Sequence, residues 1–289
     1  MRVVYFGSGS VYSARILDAL ASTNVVASVI LPEIQASGLK GLIRRAAIWR
    51  LSREMRHVIA RHKLRAIRYR ADGLIPLIGS IDPDLIVVAS FPHILPPTLL
   101  ALPRHGCLNV HPSLLPRHRG ADPVLWTYFA DDRDTGVTIH WMSEEVDAGD
   151  IVAQGRIPLE RGLPASALKA RLAALGGELL TQAIADLTAG RDARTPQNER
   201  LATHEPLPSQ KTFTIDYATW PAERVWHFLR GVGDRVGLGD PAGYVVQSHG
   251  SSPGTISESR LYCVDGWVDF RRRPLRRRIT AALFRALFR

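Results

Sequence analysis

The sequence predicts an α/β fold, in which a mainly parallel sheet carries helices on both faces and a small β domain follows. In the first half of the chain, short β-rich runs alternate with helical patterns, which is typical of a parallel sheet with crossover helices. Beyond residue 136 the pattern becomes that of an antiparallel strand pair, and a hairpin signal comes near the C-terminal end. With 289 residues and 46% apolar content, the chain can bury one large core and form a smaller appendage.

The first half alternates five strands with four helices. Apolar runs of this length, bounded by turn residues, fit buried strands. The predicted strands are Val3 to Phe6, Val25 to Ile30, Leu64 to Ile67, Leu85 to Ala89 and Cys107 to Val110. The predicted helices are Val11 to Ala21, Leu39 to His62, Gly73 to Ile78 and Pro97 to Leu102. This order of elements predicts a Rossmann-like sheet.

From residue 136 the spacing of apolar residues changes to that of alternating positions. Val137, Ile139 and Trp141 alternate with polar or smaller neighbours, as in a half-exposed strand. The run Ile151 to Ile157 follows a glycine turn and is predicted to pair with that strand. Ala165 to Ala189 then has apolar residues at helical spacing, which predicts a long amphipathic helix.

These patterns divide the chain into a main domain over 1–190, a polar, proline-bearing linker over 191–210, a small domain over 211–270 and a basic amphipathic tail over 271–289. In the small domain, Asp265-Gly266 is a strong hairpin signal between two of the predicted strands. The elements predicted there are a helix over Pro221 to Arg230 and strands over Gly254 to Ile256, Leu261 to Val264 and Trp267 to Phe270.

Charge and cysteine content narrow the class of protein. The formal net charge of +10 favours a polyanionic partner such as tRNA, a nucleotide-linked substrate or an anionic membrane surface, although an arginine bias of the genome explains the charge equally well. Two cysteines form neither a disulfide framework nor a zinc site by themselves, so we predict no metal and a reducing compartment. The first residues read as a buried strand rather than a signal peptide, and we therefore predict a cytoplasmic protein.

Two basic segments suggest surfaces for anions. Residues 44–65 are rich in arginine, and we favour a solvated helix face over a phosphate-binding surface there. The tail places Arg271 to Arg273 and Arg276 to Arg278 before apolar residues at helical spacing. This composition suits an amphipathic helix on an anionic membrane, and packing against the protein itself or a partner chain is an equal alternative.

Three short stretches carry the candidate chemistry: Gly106 to Pro116, Arg119 to Pro123 and Asp147 to Ile151. Asn109 can donate an N–H to an oxyanion without titrating, and His111 lies on the same face if the strand continues. Asp147 can raise the pKa of His111 and take or relay a proton from an amine. Each residue alone is better explained by a turn or a satisfied histidine, but the combination predicts acyl transfer to an amine.

The N-terminal turn Gly7-Ser8-Gly9-Ser10 follows a strand and precedes a helix. The third glycine of the dinucleotide-binding fingerprint is absent, so we favour a tight turn with an anion-friendly helix start over cofactor binding.

The chain resembles the 10-formyltetrahydrofolate-dependent formyltransferases, a family that includes methionyl-tRNA formyltransferase, the sugar-nucleotide N-formyltransferases and glycinamide ribonucleotide formyltransferase. The residues that carry this resemblance are Asn109, His111, Pro112, Ser113, Leu114, Leu115, Pro116, Arg119, Gly120, Pro123, Thr135, Gly136, Asp147, Gly149 and Asp150. Ile215-Asp216-Tyr217, Pro253 to Ile256 and Val264 to Gly266 look like parts of the small C-terminal, OB-like β-barrel of the tRNA and sugar enzymes.

The resemblance implies that 1–190 is a catalytic domain, that Asn109, His111 and Asp147 form its catalytic trio and that 10-formyltetrahydrofolate is the cosubstrate. It also implies that folate lies against Phe91 to Pro96 and the loop from Met142 to Asp147. The expected cofactor-binding residues are Phe91, Ile94, Leu95, Pro96, Met142, Ser143 and Val146. The expected substrate-binding residues are Gly7, Ser8, Ser113, Arg119 and Gly120.

Departures from the family bear on the amine acceptor. Methionyl-tRNA enzymes typically begin with a Gly-Thr-Pro turn and carry a glycine-rich basic loop after the second strand, whereas this chain has Gly7-Ser8-Gly9 and a helix-like segment. We therefore expect the amine of an amino-sugar nucleotide or another small molecule. The alternatives are methionyl-tRNA, and a non-catalytic homologue that binds membrane or nucleic acid.

Overall fold

The computed structural model describes residues 1–32, 53–69, 73–208, 213–233, 244–251 and 260–272. The chain forms two compact units. Unit 1 contains Met1–Pro123, Thr135–Ile157 and Lys169–Glu205. Unit 2 contains Val124–Asp134, Pro158–Leu168 and Pro206–Arg289.

A seven-stranded sheet has the order β3-β2-β1-β4-β5-β7-β8. Its strands are β1 Val3–Gly7, β2 Val26–Leu31, β3 Ala66–Arg68, β4 Leu85–Ala89, β5 Cys107–His111, β7 Asp134–Trp141 and β8 Ile151–Pro158. The pairs from β3 through β5 are parallel, and β7 runs antiparallel to β5. The prediction of a mainly parallel sheet is therefore confirmed.

Helices connect these strands. They are α1 Val11–Ala21, α2 Arg53–Arg61, α3 Leu74–Ile81, α4 Pro97–Leu100, α5 Pro123–Phe129, α6 Ala165–Thr188 and α7 Ala222–Val232. Ser10 begins α1 because its side chain accepts a hydrogen bond from the backbone N–H of Ser13. Every residue of β1 and β4 is buried, as expected for central parallel strands covered on both faces.

β8 continues the sheet beside β7, as the sequence predicted. The N–H of Trp141 donates to the carbonyl of Asp150 over 2.9 Å, and the N–H of Leu159 donates to Arg133 over 3.0 Å, so the two strands are antiparallel. The prediction that β7 is half-exposed is wrong. All but the first of its residues are buried, because neighbouring strands flank it and both of its faces are covered.

The basic helix is described only in part. α2 covers Arg53–Arg61 of the predicted Leu39 to His62, and residues 33–52 lie outside the described part of the chain. Met55 is buried within α2. Arg61 and His62 lie 3.3 Å and 2.8 Å from the carboxylate of Asp18 on α1, so this end of the basic helix faces an acid.

Much of the segment predicted as a linker makes specific contacts. Thr195 forms a β-bridge with Ile151, and a 3-10 helix follows at Glu199–Leu201. Strand β9, His204–Glu205, then pairs in parallel with β6, Arg119–Gly120. Polar composition did not reveal these contacts, because two-residue strands leave no periodic pattern.

Unit 2 contains a three-stranded antiparallel sheet in the order β10-β12-β11, which is compatible with the predicted small β domain. Its strands are β10 Tyr244–Gly250, β11 Arg260–Cys263 and β12 Gly266–Arg272. The hairpin between β11 and β12 confirms the Asp265-Gly266 prediction, whereas β10 was not predicted. The predicted strand over Gly254 to Ile256 and the tail beyond residue 272 lie outside the described residues. Among the described helices, none has the length and apolarity needed to cross a bilayer.

Candidate active site

Strands β5 and β7 place three polar side chains at one end of the sheet. In the antiparallel register, Asn109 is opposite His140 and His111 is opposite Thr138. Because alternate residues of a strand share a face, Asn109, His111 and His140 lie on the same side of the sheet. All three lie on β5 and β7, which form the first antiparallel pair of the sheet.

The loop between β7 and β8 brings Asp147 to this group. Its Oδ1 accepts a hydrogen bond from Asn109 Nδ2 over 3.1 Å, and its Oδ2 accepts one from the backbone N–H of Gly120 over 2.8 Å. Nδ1 of His111 lies 3.5 Å from Asp147 Oδ2. The structure thus brings together the three residues predicted as the catalytic trio.

His111 is oriented by the loop that follows β5. Its Nε2 donates to the carbonyl of His118 over 2.9 Å, which leaves Nδ1 facing Asp147. Burial lowers the pKa of His111; Asp147 raises it, but less strongly, so the pKa lies below 6.5. The expected upward effect of Asp147 is present, but desolvation outweighs it.

Asp147 remains ionised at this site. Burial alone would raise its pKa, but His111, His140 and the N–H of Gly120 together hold the pKa well below its usual range. Asp147 is also in the left-handed backbone conformation, with φ of 55°, and His118 has φ of 59°.

Asn109 is fully engaged. One amide hydrogen goes to Asp147 Oδ1, and the other goes to His140 Nε2 over 3.1 Å. Nδ1 of His140 lies 2.9 Å from the carbonyl of Trp141 and donates to it, so Nε2 presents a lone pair to Asn109. Sequence reasoning did not assign His140, because only the register between β5 and β7 places it opposite Asn109.

The residues expected to bind substrate have other contacts. Arg119 is fully buried and donates to Gln197 and Glu199, so its predicted contact with a substrate does not fit this position. Ser113 is likewise fully buried and donates to the carbonyl of Arg117.

The remaining three expected substrate-binding residues differ among themselves. Gly120 gives its N–H to Asp147. Gly7 is buried at the end of β1, where a Cβ would lie 2.4 Å from Ser13 Oγ. Only Ser8 of the N-terminal pair is partly exposed, and its hydroxyl donates to Ser10.

The two segments expected to bind folate meet at one edge of the core. Phe91 and Met142 are partly buried against the apolar cluster that contains Leu95, which is itself 3% exposed. Ile94 and Val146 are 79% and 46% exposed, and Pro96 and Ser143 are exposed as well. Beside them the ring of His93, which lies within the segment expected to contact folate, stacks on the ring of Tyr69, which sequence reasoning did not name, with centroids 4.8 Å apart.

Comparisons with known proteins give consistent results. A family model described as formyl transferase matches residues 1–184. The methionyl-tRNA formyltransferase of Listeria monocytogenes is 33% identical over 231 residues, which cover 80% of this chain and 72% of that protein. The methionyl-tRNA formyltransferase of Halalkalibacterium halodurans is 37% identical over 165 residues, covering 57% of this chain and 52% of that protein.

Among solved structures, a sugar N-formyltransferase from Shewanella is similar in fold. Its TM-score is 0.61 at 19% identity, over 86% of this chain and 93% of that chain. The chain spans about half the length of several curated relatives that it matches.

Proposed function

This chain belongs to the formyl transferase family, and we propose that it moves a formyl group from 10-formyltetrahydrofolate to a primary amine. The observation that carries the proposal is the convergence of Asn109, His111 and Asp147 around one partly buried point of the sheet. When bound, 10-formyltetrahydrofolate supplies an activated formyl carbon to which an amine nitrogen can add.

His111 is the proton acceptor in this proposal. Its lowered pKa leaves Nδ1 unprotonated near neutral pH, so that atom can take the proton that the amine must lose. Asp147 then stabilises the imidazolium, because its ionised carboxylate lies 3.5 Å from Nδ1. His111 would then give this proton to the nitrogen that departs when the carbon–nitrogen bond of the formyl donor breaks, which restores the neutral imidazole.

Asn109 is the donor to the developing oxyanion. Both of its amide hydrogens are engaged in the structure, so we propose that it exchanges the bond to His140 Nε2 for one to the reacting oxygen. The bond to Asp147 stays in place and keeps the amide oriented. An oriented neutral donor of this type commonly contributes two to three orders of magnitude to acyl transfer, roughly 3 kcal/mol.

The neighbouring apolar edge fits a folate. A flat heteroaromatic ring system is bound mainly by apolar and aromatic side chains with a few polar groups. Phe91 and Met142 offer partly buried apolar surface, and Ile94 and Val146 offer exposed apolar surface. We propose that these residues, with Leu95, Pro96 and Ser143, form the folate-binding edge.

For the acceptor, we propose methionyl-tRNA first. The support is the 33% to 37% identity to enzymes named for that substrate, together with the net charge of +10, which favours a polyanion. This reverses the preference for a small amine drawn from the sequence. An amino-sugar nucleotide is the second candidate, because the turn Gly7-Ser8-Gly9 departs from that of the tRNA enzymes.

One assay separates these candidates. The protein is incubated with 10-formyltetrahydrofolate and either methionyl-tRNA or a panel of nucleotide-linked amino sugars, and release of tetrahydrofolate is followed. We expect acceptor-dependent release with methionyl-tRNA. Release only with an amino sugar would transfer the assignment to the second candidate, and no release with any acceptor would favour the non-catalytic alternative.

A further inference from the structure

We propose that Gln197 is a positioning residue that fixes the backbone on which the Asp147 carboxylate is mounted. Gln197 lies beyond the residues matched by the family model, in the stretch that composition assigned to a linker. The inference deepens the proposed function and rests on it for its kinetic consequences. Its structural core, the geometry of the Asp147 loop, can be tested independently of activity.

The amide of Gln197 binds the loop at two points. Its Nε2 donates to the carbonyl of Asp147 and to the carbonyl of Gly149, each over 2.8 Å. Its Oε1 accepts from Nε and Nη2 of Arg119 over 3.2 Å and 2.9 Å. The orientation of the amide is therefore determined, because the reverse orientation would set its oxygen against two carbonyls and its NH2 group against a guanidinium.

Arg119 joins this contact to the carboxylate itself. Its guanidinium is fully buried and is also held by Glu199 Oε1 over 2.6 Å and Oε2 over 2.8 Å. The next residue, Gly120, donates its N–H to Asp147 Oδ2. These contacts form a closed ring. It runs from the backbone carbonyl of Asp147 through the side chains of Gln197 and Arg119 to the N–H of Gly120, and from there back to the carboxylate of Asp147.

Backbone hydrogen bonds of residues 195–205 also hold the loop that follows β5. Arg119 and Thr203 are joined by a backbone hydrogen bond of 3.0 Å, and the N–H of Thr203 donates to Pro116 over 3.2 Å. The 195–205 segment therefore holds both the loop that orients His111 and the loop that carries Asp147.

The Asp147 loop needs such support. Asp147 is in the left-handed conformation, which costs a non-glycine residue free energy even though Asp tolerates it better than most. The residues before it, from Ser143 to Val146, are exposed. The two hydrogen bonds from Gln197 fix the carbonyls on either side of Ala148, and so fix the direction of the Asp147 side chain.

Gln197→Glu isolates the donor role. The glutamate keeps an oxygen for Arg119 but cannot donate to the carbonyls of Asp147 and Gly149. Gln182→Glu is the matched control, since Gln182 is exposed on α6 and its amide contacts only Asp186 among the hydrogen bonds described for it. If Gln197→Glu lowers the Tm by more than about 5 °C, Gln197→Met replaces it in the same measurements.

The first readout is hydrogen exchange at the amide of Gly120, which reports directly on its bond to Asp147 Oδ2. We expect exchange at least about tenfold faster in Gln197→Glu than in the wild type, and unchanged in Gln182→Glu, because only the former frees the loop. Equal exchange in all three proteins would overturn the proposal. This readout holds even if no acceptor is ever found, so failure of the proposed function is distinguishable from failure of the inference.

The second readout is a double-mutant cycle with Asp147→Asn. We expect Gln197→Glu to lower kcat by about tenfold to a hundredfold, with KM within about twofold, as for misplacement of a catalytic group by a fraction of an ångström. In the Asp147→Asn background the same change should lower kcat less than about threefold, since Gln197 acts through Asp147. The same factor in both backgrounds would mean that Gln197 acts by general stabilisation and would overturn its assignment as a positioning residue.

Discussion

His111 and Asp147 share a small volume in which burial and charge act in opposite directions. Desolvation disfavours the charged forms of both side chains. The carboxylate nevertheless stays ionised because His111, His140 and the backbone N–H of Gly120 lower its pKa, whereas desolvation is the largest effect on the pKa of the imidazole and lowers it. The pair therefore rests as a neutral base beside a carboxylate, which is the arrangement that accepts a proton from an amine.

This assignment predicts how His111 titrates. In a protein labelled at histidine Cε1, we expect the NMR resonance of His111 to titrate with a midpoint below 6.5. In Asp147→Asn the midpoint should fall further, because the carboxylate is the main group that raises the pKa of His111. Asp82→Asn, at a surface carboxylate paired with Arg104, is the control and should leave the midpoint unchanged. A midpoint above 6.5, or one that does not respond to Asp147→Asn, contradicts the account.

Strands β5 and β7 could be predicted from the sequence. The positions of the loops that complete the site could not. Asn109 and His111 fall on one face because strand residues alternate, and that rule depends only on local sequence. His140 was placed on the strand but not in the site, because its contact with Asn109 depends on the register between two strands. Asp147 was proposed from its chemistry and from the resemblance to a family, but its position could not be derived, because it depends on a turn with no periodic pattern.

The predicted linker also shows that local sequence does not reveal contacts between distant residues. Residues 191–210 are polar and carry proline, which favours a loop. Yet Gln197 and Glu199 bind a buried arginine, and β9 pairs with β6. Composition reports how much apolar surface a segment can bury, and it is silent about single hydrogen bonds between distant residues. For the same reason, Arg119 was expected at a substrate although it is fully buried.

The turn after Asp147 also depends on a glycine. A Cβ at Gly149 would lie 1.9 Å from the carbonyl oxygen of Trp141, which is backbone and cannot move aside cheaply. We expect Gly149→Ala to destabilise the protein by about 1–3 kcal/mol, as overpacking does, and to lower kcat by about tenfold or more because the loop must shift.

Gly79→Ala on α3 is the control for that change. A Cβ there meets no atom within 4 Å, and alanine favours the helix, so the substitution should be neutral or stabilise by up to roughly 1 kcal/mol. Urea unfolding and steady-state kinetics on both variants provide the test. Wild-type activity and stability in Gly149→Ala would show that the loop does not need this close approach.

For the chain as a whole, the positive charge is the property most relevant to the acceptor. A net charge of +10 attracts any polyanion, but only contacts with several phosphates release several counterions. Some of the 37 basic side chains are paired with acids, as at Arg61 beside Asp18 and at Arg119 beside Glu199, and the net charge of +10 is what remains after all 27 acids are counted. The remaining charge makes salt dependence an informative measurement.

With methionyl-tRNA as acceptor, we expect kcat/KM to fall by about tenfold or more between 50 mM and 200 mM salt, the effect of neutralising two or more phosphates. A nucleotide-linked amino sugar, which carries few phosphates, should show a much smaller dependence. Titrating salt with both acceptors at fixed 10-formyltetrahydrofolate provides the comparison. A flat response with methionyl-tRNA would contradict recognition through its backbone.

The most direct measurement is single-turnover formyl transfer by the wild type and Asp147→Asn, with Asp82→Asn as the control. Asparagine keeps the size of the side chain but removes the negative charge that stabilises protonated His111. It also has one carbonyl oxygen where the carboxylate has two to accept the N–H groups of Asn109 and Gly120. We predict a chemical rate lower by about two orders of magnitude or more in Asp147→Asn and unchanged in Asp82→Asn. A rate in Asp147→Asn equal to that of the wild type would contradict the assignment of this site as the catalytic centre.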